Sequence, residues 1–176
     1  LPSRLINELL PETRSVLLPR ELSARRLPSE LCNLLNRDKS SPFYQLIKRI
    51  SDRSGAGAVI TDTAVITMIK NSINNPLGAL APFKAGAREG VDVESMYKIL
   101  VTYWSAVRDV FKDAWGKDPR HSRLMHSAGI EAMGVLMDRI YARLNGPTDD
   151  VKAVRTELER IAPHCRWTTG SWEELG

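Results

Sequence analysis

The stretch that most constrains the fold lies between Val93 and Leu144, where two amphipathic patterns flank a short turn rich in charge and histidine. In the first, Val93, Tyr97, Leu100, Trp104, Val107 and Phe111 recur at alternating spacings of three and four, one apolar stripe on a helical period. The spacing predicts a helix over 93–115. Asp92 is placed to cap it, Glu94 sets a negative charge in its first turn, and Gly116 and Pro119 stop it. In the second, Met125, Ala132, Met133, Leu136, Met137, Ile140 and Leu144 predict a helix over 122–144 with a wider apolar surface. Gly129 and Gly134 interrupt it at some cost in propensity, and a wide face with small residues implies burial against more than one neighbour. The expected fold is therefore mainly α: a helical bundle with two long antiparallel helices.

A chain of 176 residues with 43% apolar content can bury one core, or two small units that share an interface. Prolines at 2, 11, 19 and 28 allow only short helices before Asn36, at about 3–10, 20–26 and 29–36. The charged and small stretch 37–41 then separates a proline-punctuated segment, 1–41, from a helical core, 42–176, the two making one domain overall. Residues 42–51 suit a helix through Phe43, Leu46, Ile47 and Ile50, whereas the Ser54 to Gly57 turn and Ala58, Val59 and Ile60 suit strands. We expect a short β-hairpin near residues 45–60. Thr61 or Asp62 can cap a helix running to Asn74, and 77–91 reads as a mobile connector. A third amphipathic helix follows the Asn145-Gly146-Pro147 stop, with Val151, Val154, Leu158 and Ile161 on its apolar side.

Cys32 and Cys165 stand far apart in no repeated spacing, so the sequence indicates neither a disulfide framework nor a zinc site, and a reduced, cytoplasmic setting fits. No apolar run approaches the ~20 residues of a membrane-spanning helix, and the start has no signal-peptide organisation. The chain lacks an initiator methionine and reads as an excised piece of something longer.

No set of catalytic residues emerges. Ser95 and Lys98 match a serine-x-x-lysine spacing, but the partner motifs are missing and both fall on the polar side of the helix. The Ser54 to Gly57 turn lacks the third glycine of a dinucleotide fingerprint and the lysine of a P-loop. His121 and His126 are off the spacing that puts two imidazoles on one helix face, and His164 beside Cys165 has no third partner, so no metal or cofactor is implied.

The candidate for anion contact is the cluster Lys117, Arg120, His121 and Arg123, at the start of the second long helix, where side-chain charge and free backbone N–H groups can both face a phosphate. Asp113 and Asp118 offset part of its charge. Arg20, Arg25 and Arg26 form a second, weaker cluster. The whole chain carries 25 basic against 21 acidic residues, and its net charge of +4 permits phosphate contact without demanding it. Trp104 and Trp115 are placed to fill the core, and Trp167 and Trp172 to pack onto whatever follows Gly176.

Several phrases carry a family resemblance: Leu1-Pro2-Ser3 before a leucine-rich helix, Ser41-Pro42-Phe43-Tyr44, the Tyr103-Trp104 to Phe111 to Trp115 pattern, Ser127-Ala128-Gly129-Ile130, and the final Trp167 to Trp172. Together they resemble the C-terminal half of the bacterial DGQHR-domain proteins, relatives of the DndB proteins linked to DNA phosphorothioate modification. In that family the Asp-Gly-Gln-His-Arg motif lies upstream, within a domain similar to ParB and sulfiredoxin. This sequence contains no such run, so no chemistry of that motif transfers to any residue here. The resemblance implies a helical region in a DNA modification or defence protein, with double-stranded DNA as a partner through possible binding and repression. The alternative is a structural or protein-interaction module with no activity of its own, packed on an upstream ParB-like domain of the same protein or on a second copy as a homo-oligomer. An enzyme active site contained within these residues ranks behind both.

Overall fold

The helix starts follow local chemistry: a first turn leaves free N–H groups, which an acceptor side chain satisfies, while a proline has none to satisfy. The computed structural model describes residues 26–49, 57–84 and 90–170. Helix α1 (Leu27–Arg37) carries Pro28 in its first turn. Helix α2 (Asp62–Asn74) is capped by Thr61, whose side chain accepts from the Ala64 N–H. Asp92 caps α3 (Val93–Val110) by accepting from the Ser95 N–H at 3.0 Å. The ring of His126 caps α4 (Ser127–Arg143), and Asp150 caps α5 (Val151–Ile161). Short 3-10 turns lie at Ala81–Phe83, Arg123–Met125 and Ala162–His164. The helix expected over 3–10, and all but Arg26 of the helix expected over 20–26, lie outside the described residues.

Both long helices are shorter than their apolar patterns. Past Val110 the chain turns through 111–116, which folds Trp115 back so that its ring lies 5.4 Å from Phe43 and 6.1 Å from Trp104. Phe43 meets Trp104 at 5.0 Å, completing a three-ring cluster. Such contacts contribute about 0.5–1.5 kcal/mol per pair beyond burial alone, enough to favour the turn over another helical turn. At the other end, residues 123–125 form a 3-10 turn and His126 is the cap, so α4 begins five residues later than the pattern suggests.

The expected hairpin is instead a parallel pair. Strands β1 (Ile47–Lys48) and β2 (Ile60–Thr61) run in register Ile47 to Ile60 and Lys48 to Thr61. The end of α1 sets their direction: the Asn36 side chain accepts from the Ile47 N–H at 2.9 Å, and its carbonyl accepts from Gln45. That anchoring buries Ile47 and Ile60 in one core, which a tight antiparallel turn could not do from this direction. Most of the Ser54 to Gly57 turn lies outside the described residues.

One apolar core joins α1 to the rest, with Leu27, Leu31, Leu34 and Leu35 in the same cluster as the later helices. The closest helix neighbours are α2 with α4 and α3 with α5. The two long helices approach each other through tyrosines: Tyr103 donates to the Met133 carbonyl at 2.6 Å and Tyr141 to the Ile99 carbonyl at 3.3 Å. A rising number on α3 meets a falling one on α4, so the two are antiparallel. Helix α3 buries more than its expected stripe, since Met96, Ile99, Tyr103 and Ala106 are also in the core.

The glycines of α4 mark close approaches. A Cβ at Gly134 would lie 2.2 Å from the Met68 side chain of α2, and one at Gly129 would lie 2.0 Å from the Arg123 carbonyl. Ala132, expected inside, is exposed, because α2 and α5 cover other faces of α4. The start of the expected connector is also anchored. Buried Asp138 of α4 accepts from the Ser72 hydroxyl at 2.6 Å and from the Ala79 N–H at 2.9 Å, which sinks Ala79 and Leu80 into the core. Among the described residues, no helix is long and apolar enough to cross a membrane.

Candidate functional site

Between α3 and α4 the chain makes a loop, and the segment after α5 returns to lie against it. The link is Arg123. Its backbone N–H donates to the Trp167 carbonyl at 2.9 Å, and its guanidinium donates to the carbonyls of Arg166, Thr169 and Gly170. Carbonyl oxygens clustered this way suit a planar guanidinium with its fixed fork of donors. Trp167 then packs edge-on against Phe111, with ring centroids 6.0 Å apart. This corrects the expectation that Trp167 packs beyond Gly176; Trp172 lies outside the described residues.

The two segments enclose a cleft of about 440 Å³ lined by Lys117, Arg120, His121 and Arg123 on one side, and by Trp167, Thr168 and Gly170 on the other. The structure thus brings together all four residues singled out from the sequence, but they are not equivalent. Lys117 and His121 are exposed at the cleft. Arg120 is paired with Asp118, its Nε and Nη2 donating to the two carboxylate oxygens at 2.9 and 3.1 Å. Those hydrogen bonds hold the Asp118 carboxyl down at about 2, and Asp118 in turn raises the Arg120 pKa. Arg123 organises the cleft wall. Ser122 falls within the basic stretch that the sequence singles out, but Trp167 does not, and its place in the site depends on contact between segments more than forty positions apart.

No protein-family model matches the chain, and no curated protein or solved structure matches it either.

The other chemical candidates are accounted for locally. The Ser95 hydroxyl donates to Asp92 at 2.7 Å as part of the α3 cap, and Lys98 pairs with Glu94 at 3.6 Å, so neither serves the other. His126 is used as a cap. The Cys165 thiol donates to the Ile161 carbonyl, and Cys32 is buried and free. Among the described residues, no three His, Cys, Asp or Glu side chains converge as metal ligands. Arg20 and Arg25 of the second basic cluster lie outside the described residues, while Arg26 is exposed at the start of α1.

Proposed function

We propose that this chain is a helical module that contacts nucleic-acid phosphates, double-stranded DNA above all, through the loop 117–123. The observation that carries the reading is the gathering of Lys117, Arg120, His121 and Arg123 on one wall of a single cleft. Cations at one concave place raise the local potential for an anion, and phosphate contact of this kind carries no base sequence. The resemblance to DGQHR-domain and DndB-like proteins supports the same direction, a part in bacterial DNA modification or defence. A cytoplasmic setting goes with it, since bacterial DNA lies there and free thiols stay reduced there.

A fluorescence-anisotropy titration with a labelled duplex at low and physiological salt tests the reading. Binding should fall steeply with salt, and Lys117→Ala should lower the salt slope by about one and weaken all sequences alike. Lys117→Glu with Arg120→Glu should abolish binding without changing the fold, because both side chains are exposed. Failure of the unaltered protein to bind DNA at low salt sinks the proposal. Arg123→Ala is not a clean probe, because it also unties the segment 166–170.

In a second reading, an interaction module, the outward-facing apolar side chains of Leu77, 81% exposed, and Val135, 52% exposed, would meet the partner. Sedimentation across a wide concentration range tests self-association; a monomer throughout removes the homo-oligomer.

A further inference from the structure

The cleft wall contains two buried donors with no acceptor among the described residues. Ser122 is 1% exposed, and neither its hydroxyl nor the indole N–H of Trp167 has a hydrogen-bond partner among the described residues. Both residues line the cleft. Folded proteins leave few such groups, because each orphaned buried donor carries a desolvation penalty. An indole N–H can only donate, and a serine hydroxyl can donate, so a partner for both must supply acceptors. Lys117 and Arg120, exposed beside them, favour a partner that is negatively charged.

We propose that the cleft takes a terminal phosphate monoester of a nucleic acid, with Lys117 and Arg120 meeting its charge at the rim and Ser122 and Trp167 donating from beneath. This deepens the phosphate-contact reading and rests on it. A phosphate inside a continuous backbone is esterified on both sides, carries one charge and lies along a convex duplex. It therefore presents its two free oxygens to the basic side chains of the rim rather than to the donors beneath. A chain end is different: its phosphate protrudes, offers three acceptor oxygens and carries close to two negative charges at neutral pH. A volume of about 440 Å³ falls within the range of small-ligand pockets, room for the phosphate and its attached sugar. The Ser122 hydroxyl and the Trp167 indole N–H are buried atoms of lining residues, so engaging them takes a small outward displacement of the 167–170 segment. Arg123, by holding the carbonyls of that segment, sets its position.

The test compares one duplex carrying 5′-phosphates with the same duplex carrying 5′-hydroxyls, each titrated against the full chain. The phosphorylated ends should bind about tenfold tighter or more, as two further hydrogen bonds and a second charge require. Ser122→Ala and Trp167→Phe should each reduce that preference, read on each variant as the ratio of its two affinities, and a ratio unchanged in both variants overturns the role of these donors. The phenyl ring preserves the packing on Phe111, and thermal melting checks that both variants fold. Adenosine 5′-monophosphate as competitor distinguishes the sources of the group. Displacement of the phosphorylated duplex only at far higher concentration assigns the cleft to a nucleic-acid end, whereas equal affinity assigns it to a small phosphate ester and overturns the nucleic-acid part of the proposal. Equal, salt-sensitive binding of both duplexes overturns the proposal but leaves backbone contact standing. No DNA binding at any salt overturns both.

Discussion

The hydroxyl of Tyr103 on α3 donates to the backbone carbonyl of Met133 on α4 at 2.6 Å, deep in the core. That carbonyl lies inside a helix and uses its second lone pair for the tyrosine. Together with Tyr141 and its bond to Ile99, this contact holds the two long helices antiparallel across a layer of aromatic rings. Replacing Tyr103 with Phe keeps the ring and removes the bond, and should cost about 1 kcal/mol in urea unfolding. Tyr141→Phe, which loses a longer bond, should cost less; the reverse order would contradict this account.

Asp138 joins α4 to α2 and to the segment that follows it. Truncation to alanine leaves the Ser72 hydroxyl and the Ala79 N–H without their buried acceptor, a loss of about 2–4 kcal/mol. Asp138→Asn keeps one carbonyl acceptor and should fall between the two. Equilibrium denaturation of the three proteins gives the order.

Two glycines of one helix should respond differently to alanine. At Gly129 the added methyl meets the Arg123 and Leu124 carbonyls, rigid backbone that also forms the cleft wall. At Gly134 it meets Cγ of the buried Met68 side chain, which can shift only by turning about its first side-chain bond, a smaller adjustment than moving backbone. Gly129→Ala should destabilise by about 3 kcal/mol or prevent folding, and Gly134→Ala by about 1–2 kcal/mol. Comparison of thermal midpoints checks the ranking.

Stability should fall on the alkaline side. Burial pushes the Cys32 thiol up to about 11 from 9.0, and it also raises the hydroxyls of Tyr103 and Tyr141. Below pH 9 the thiol is protonated in folded and unfolded chains alike, so it contributes no pH dependence. Between pH 9 and 11 the unfolded chain releases a proton that the folded chain keeps, and stability drops by about 2–3 kcal/mol. The tyrosines extend the loss to higher pH. Urea midpoints from pH 8 to 11 should decline, and Cys32→Ala should flatten the first part of the decline; an unchanged profile in that variant contradicts the assignment.

Arg123 should act locally. With its guanidinium removed, the carbonyls of Arg166, Thr169 and Gly170 lose their donor, while the helices keep theirs. In Arg123→Ala, amide exchange should rise in 166–170 and stay unchanged in α3 and α4. Exchange that rises equally throughout would mean that the residue supports the core instead.

The amino-acid sequence by itself determined where α2, α3 and α5 begin and which side of each is apolar. Thr61 and Asp92 act on the nearest N–H groups, the cap of α5 is Asp150, one residue past the Thr148-Asp149 signal, and periodicity is a property of neighbouring positions. It also determined that Lys117, Arg120 and His121 would share the turn between the long helices, whereas the place of Arg123 outside α4 came from the structure. The tertiary structure decided the rest: the parallel rather than hairpin strands, the pairing of α2 with α4 and α3 with α5, and the turn that carries Trp115 into the core. It also decided that Arg123 holds the segment around Trp167, forty-three to forty-seven positions away, while Arg120 keeps a local partner in Asp118. The reason is physical. A pattern states which surfaces must leave water, but what meets them depends on groups brought together only when the chain closes on itself.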